Sequence, residues 1–94
     1  MNRRATLSQW AERAGVELVF LDPASAFDGA ILGVVSGFGQ EPAVLYDEAT
    51  VLAALVAQGM PWADAQEWFS FNTVGAYLGP ATPRFLSVRV KPYA

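Results

Sequence analysis

Between Tyr46 and Asn72 the apolar positions recur at helical spacing twice in succession, and each run carries its own start and stop residues. Val51, Leu52, Leu55 and Val56 mark the first helix, with Ala49, Ala53, Ala54 and Ala57 filling the rest at little propensity cost. Asp47 stands at the N-cap, where its carboxylate can accept from backbone N–H groups left free in the first turn. Tyr46 and Val51 are spaced as a hydrophobic staple. So few polar positions predict a helix buried over much of its circumference. Gly59 occupies the left-handed position after the last turn, and Met60 beyond it folds back onto Leu55. Pro61 suits the first turn of a second helix, which runs to about Phe71 with Asp64 near its positive end. Ala65, Trp68, Phe69 and Asn72 lie along one side, and Asp64, Gln66 and Glu67 along much of the other. A joint as short as Gly59-Met60 makes the two helices spatial neighbours.

Elsewhere the pattern reads as one more helix and several strands. Thr6 to Ala14 is expected to be helical, with Thr6-Leu7-Ser8-Gln9 as a capping box, Leu7, Trp10, Ala11 and Ala14 as its apolar side, and Gly15 as its stop. Val16 to Leu21 is apolar and β-prone, and Asp22-Pro23 ends it. Pro23 to Gly29 is a turn that leaves open whether Phe27 is buried. Ala30 to Val35 and Ala43 to Tyr46 form an antiparallel hairpin around a loose, glycine-rich connection from Ser36 to Pro42. Leu86, Val88 and Val90 alternate with Ser87, Arg89 and Lys91, as in a half-exposed strand with its basic side in water. The expected fold is one α+β domain spanning residues 1–94: the hairpin and terminal strands in one sheet, with the helix pair packed on one face.

Composition narrows the class. A hydrophobic fraction of 53% against 16% charged residues excludes disorder. Arg3 and Arg4 resemble the start of a signal peptide, but Thr6, Ser8, Gln9, Glu12 and Arg13 come next, where an apolar stretch is needed. The apolar run before Gln40-Glu41-Pro42 is too short for a membrane span. These features lead us to expect a soluble, cytosolic protein that does not engage a membrane. The net charge is −3, and all six basic residues sit toward the ends: Arg3, Arg4, Arg13, Arg84, Arg89 and Lys91. Glu17, Asp22, Asp28, Glu41, Asp47, Glu48, Asp64 and Glu67 fall between Arg13 and Arg84. Direct nucleic-acid binding by the middle is disfavoured, because no cation there replaces phosphate counterions. An acidic face for a basic partner, or one imitating a phosphate backbone, stands beside the plainer reading of caps, turn residues and solvated positions.

The residues that usually announce chemistry are missing. Without histidine or cysteine, the commonest general base, nucleophile and transition-metal ligands are absent, and no cofactor or metal is assigned. Asp22 and Asp28 flank the Pro23–Phe27 turn, where a pair of carboxylates can hold a hard cation or bond its own turn backbone. The glycines from Gly29 to Gly39 match neither a phosphate loop nor a dinucleotide fingerprint. Trp62, Trp68, Phe69, Phe71 and Tyr77 crowd the second helix and the stretch just after it, more aromatic surface than one helix side buries against a small sheet. Trp62, Trp68 and Phe71 are therefore candidate partner-binding residues on the side away from the sheet, with core filling as the alternative. Asp28 and Asn72 join them as polar candidates; Asn72 also fits as a structural amide at the helix end.

Taken together, Phe27-Asp28-Gly-Ala-Ile-Leu-Gly33, Ala43-Val-Leu-Tyr46-Asp47, Gly59-Met60, Glu67-Trp68-Phe69-Ser-Phe71-Asn72, Gly75-Ala-Tyr77 and Thr82-Pro83-Arg-Phe85-Leu86 form an ordered series. It resembles a widespread group of small proteins encoded by bacteriophages and prophages. The resemblance covers roughly Phe27 to Leu86, and departs at Pro61, where a Ser or Thr cap is the pattern. It implies a phage-type accessory protein in the bacterial cytoplasm, and transfers no activity, catalytic residue or cofactor. The expectation is a non-enzymatic protein that docks on a host or phage protein, inhibition of a host defence complex being one such role. Two others compete with it: a small-molecule or metal-binding domain using Asp22, Asp28 or Asn72, and a phage structural component built by self-association into a homo-oligomer.

Overall fold

A computed structural model describes residues 2–71 and 79–90. The first helix, α1, runs Arg3–Ala14, three residues ahead of the expected start. Asn2 is its cap, with Oδ1 accepting from the Ala5 N–H at 2.7 Å. Thr6 lies inside the first turn and donates its hydroxyl back to the Asn2 carbonyl. Asn is the stronger cap of the two, which is why the expected capping box is not used. Gly15 closes the helix as expected, at φ 72°, and the Val16 N–H reaches back to the Ala11 carbonyl at 3.0 Å.

The segment from Val16 to Leu21 is not a strand. Leu18, Phe20 and Leu21 pack against the core, and side chains satisfy backbone groups that a ladder would otherwise take. Tyr46 Oη accepts the Leu21 N–H at 2.8 Å, and Arg4 Nη2 donates to the Leu21 carbonyl at 2.8 Å. The expected turn after Pro23 is a short helix, α2 (Ala24–Phe27), continued by a 3₁₀ turn over Asp28–Ala30. That turn carries Phe27 into the core at 3% exposure.

Strand β1 (Ile31–Gly37) pairs antiparallel with β2 (Gln40–Asp47), so the expected hairpin is present. Its connection is tight rather than loose, because Gly39 at φ 70° allows Phe38-Gly39 to turn the chain. The register shifts between Ile31 and Gly33 and again near the turn, the second shift falling where Pro42 lacks an N–H to donate. Strand β3 (Arg84–Leu86) runs parallel to β2, with Tyr46 opposite Phe85, giving the order β1-β2-β3. The expected strand from Leu86 onward is thus displaced towards Arg84, and Val88 and Val90 are exposed. Alternation marks two faces of an extended chain but carries no information about which neighbour lies within reach.

The fold is α+β, as the sequence implies. Helix α3 (Glu48–Ala57) is capped by Asp47, whose Oδ2 accepts from the Thr50 N–H and hydroxyl. Gly59 at φ 99° ends it, with the Gly59 N–H on the Val56 carbonyl and the Met60 N–H on the Leu55 carbonyl. Val51, Leu52 and Leu55 are buried, but Ala49, Ala53, Val56 and Ala57 are exposed, so α3 is covered on one side only. Its alanines promote the helix without marking a buried face. Helix α4 (Trp62–Phe69) comes after Pro61, which sits at the cap in an extended conformation instead of in the first turn. Ala65 and Phe69 of α4, Val51, Leu52 and Leu55 of α3, Val44 and Tyr46 of β2, Ile31 and Phe27 form one core.

Candidate functional site

Two of the candidate acids meet at a cation from the far end of the helix before them. Arg4 Nε lies 2.9 and 3.1 Å from the two Asp28 carboxylate oxygens, and Arg4 Nη1 lies 3.8 Å from Asp22 Oδ1. The same guanidinium covers the Phe20 ring at 4.5 Å. The sequence pairs Asp22 with Asp28 as a potential cation site, and the folded chain supplies its own cation there. Among the described residues no three potential metal ligands come together. Beside this group, Tyr46 is fully buried, and burial pushes its hydroxyl above the usual tyrosine range against the opposing pull of the Leu21 N–H and Arg4.

A second group gathers where α3 begins. The Thr50 hydroxyl and N–H bonds, together with Arg89 at 3.7 Å, hold the Asp47 carboxyl below the usual aspartate range. Glu48 accepts from the Ser87 hydroxyl at 3.1 Å. Arginines from both ends of the chain therefore fold back onto acids of the middle.

Helix α4 presents the contrast. Asp64 and Glu67 are exposed, and no described arginine pairs with either. With Met60, Trp68 and Phe71 they line an open hollow of about 320 Å³. Asp64, Glu67 and Trp68 are neighbours on α4 at about 100° per residue, and Met60 before its cap and Phe71 after its last turn extend the lining. Phe71, 73% exposed, forms the far end of it. Trp68 forms a wall whose other side stacks on Phe27, at 6.4 Å between centroids and 16° between planes. Trp68 is thus half core and half surface, not a residue turned wholly away from the sheet.

Of the candidate partner-binding residues, the structure brings Trp68 and Phe71 together. Trp62 is 54% exposed but does not line the hollow, since two positions along α4 place it roughly opposite Asp64. Asp28 is engaged by Arg4, and Asn72 lies outside the described residues. Met60, Asp64 and Glu67 are the lining residues that sequence reasoning assigned to other roles; the i, i+3, i+4 spacing of Asp64, Glu67 and Trp68 on α4 is the signal that finds the two acids. No helix among the described residues is long and apolar enough to cross a membrane. Comparison with protein-family models, with curated proteins and with solved structures gives no match.

Proposed function

We propose that this chain is a protein-interaction domain that engages a basic segment of a partner through the α4 stripe. The observation carrying the reading is the hollow itself, lined by two carboxylates with no ion-pair partner among the described residues, Asp64 and Glu67, together with the aromatic Trp68 and Phe71. A lysine or arginine side chain fits that chemistry on both counts, its charge meeting the carboxylates and its face or stem lying against the rings. Trp68 is held by Phe27, so one wall is in place before a partner arrives. Like charges at i and i+3 on an exposed helix are mildly unfavourable by themselves, and a partner cation relieves them. The sequence resemblance to phage and prophage proteins supplies the setting, an accessory protein docking on a host or phage protein in a bacterial cell.

The test is capture from bacterial lysate on immobilised protein, with variants read side by side. Wild type and Trp62→Ala retain the same partner, and Phe71→Ala and the Asp64→Asn/Glu67→Gln pair lose it, with retention falling as salt rises. Retention unaffected by both the Phe71 and the carboxylate changes rejects the reading.

A further inference from the structure

On another part of the molecule, α1 and β1 leave a trough between them whose chemistry is opposite to that of α4. Two hollows of about 420 and 410 Å³ share Thr6 and Leu7 and so run into one another. Leu7 and Trp10 of α1 face Leu32 and Val34 of β1 across this trough. Trp10 and Leu32 are each 38% exposed, leaving apolar surface open to water. Arg3 lines one hollow and Arg13 the other, and no acidic residue lines either. The Arg3 guanidinium is anchored to the neutral Gly29 and Ile31 carbonyls at 2.6 and 3.0 Å, which fixes its place without cancelling its charge. No described residue forms an ion pair with Arg13.

β1 is the outer strand of the sheet, paired on the β2 side alone among the described residues. Apart from the Ile31 carbonyl, which Arg3 takes, its other edge carries main-chain donors and acceptors outside any ladder among the described residues, the template on which an extended chain can add. We infer that the trough binds a short extended peptide of apolar, β-prone sequence carrying a carboxylate at one or both ends, laid along β1 under the cover of α1. Ten residues of helix separate Arg3 from Arg13 by about 15 Å, a span that roughly four or five extended residues cover. Carboxylates at that separation meet the two arginines, and alternate side chains between them meet Leu7, Trp10 and Leu32. A second copy of this chain adding β1 to β1 would bring arginines toward arginines, so charge favours a different, acidic-ended segment.

A displayed library of random eight-residue peptides, panned against the whole protein, tests this. On wild type, the enriched peptides are alternating and acidic-ended, and their amide shift changes fall on residues 3–13 and 31–37. Arg13→Glu weakens the best of them at least tenfold. Thr6→Trp blocks them too, since Thr6 is exposed on α1 and lines both hollows, so a ring there fills the trough without entering the core. N-methylating alternate peptide amides abolishes binding in one of the two phases, as a ladder requires. Trp62→Ala and the Asp64→Asn/Glu67→Gln pair bind as wild type. The proposal is overturned if no peptide is enriched over the Thr6→Trp protein, if the enriched peptides are basic and lost with the α4 changes, or if neither N-methylated phase weakens binding. Sedimentation showing a wild-type dimer that Thr6→Trp dissociates overturns it as well, because the copy then occupies the trough.

Discussion

Asp28 and Glu67 are both carboxylates on helical turns of the same small molecule, yet their surroundings put them to different uses. Asp28 is half-buried with both oxygens on Arg4, whose other donors hold the Leu21 carbonyl and approach Asp22. Glu67 is exposed on α4 beside Asp64 and Phe71, with no described cation opposite it. The first charge joins α1, the connection after it and the 3₁₀ turn into one body. The second contributes nothing visible to holding the chain together. An acidic residue in this protein is thus interpretable only from what lies across from it.

The same division runs through the aromatics, where the effects are largest. Phe27→Ala removes a ring that is 3% exposed and stacked on Trp68, and is expected to cost about 3–5 kcal/mol of unfolding free energy by chemical denaturation. Phe71→Ala removes a ring that is 73% exposed, and stability should stay within about 0.5 kcal/mol of wild type. Equal losses from the two changes would erase the distinction between core and stripe. Next in size is Arg4→Ala, which strands the Asp28 carboxylate and the Leu21 carbonyl. Breaking a fully buried pair costs about 3–5 kcal/mol, and solvent at this partly exposed one reduces the expectation to about 2. The Asp64→Asn/Glu67→Gln pair should stay within about 0.5 kcal/mol of wild type in the same experiment, because relief of a like-charge neighbour offsets the loss of Asp64 from the first turn of α4.

How much of this was legible in the sequence depends on the range of each interaction. The Asp47 cap, the Gly15 and Gly59 stops and the hairpin are local, and each is spelled within a few residues of where it acts. Arg4 reaching Asp28 across 24 positions is not local, and nothing in the spacing of either residue points to the other. Val16 to Leu21 is apolar enough for a strand, but Tyr46 Oη and Arg4 take the backbone groups of Leu21, and both partners are distant in sequence. For the site, composition marked the aromatic crowd around α4, while helical phase sets Trp68 beside Asp64 and Glu67 and turns Trp62 away from them. The trough between α1 and β1 belongs to no single segment, so no single stretch of sequence announces it.

Tyr46→Phe sharpens the comparison at the level of one hydrogen bond. It keeps the ring on Phe85, at 6.0 Å, and removes only the acceptor of the Leu21 N–H. Leaving that donor without a partner should cost about 1–3 kcal/mol, and faster amide exchange at Leu21 in native conditions is the local readout. Unchanged exchange there would mean that the Val16–Leu21 segment is held by packing without this bond.

The smallest effect is the one with a pH signature. Asp47 caps α3 and lies near Arg89, and its folded pKa is below the ordinary value of 3.8. A carboxylate whose folded pKa is depressed binds fewer protons folded than unfolded, so the stability it supplies is complete above the unfolded pKa and is lost as pH falls through the folded one. Asp47→Ala should therefore cost about 1 kcal/mol at neutral pH, the usual worth of an aspartate cap. The gap between variant and wild type should narrow as pH falls below 3.8, because wild type loses what the variant already lacks. A gap for Asp47→Ala that stays constant down to the acid limit would place its contribution in backbone preference at the cap rather than in its charge, and would set Asp47 beside Asp64 and Glu67 instead of beside Asp28.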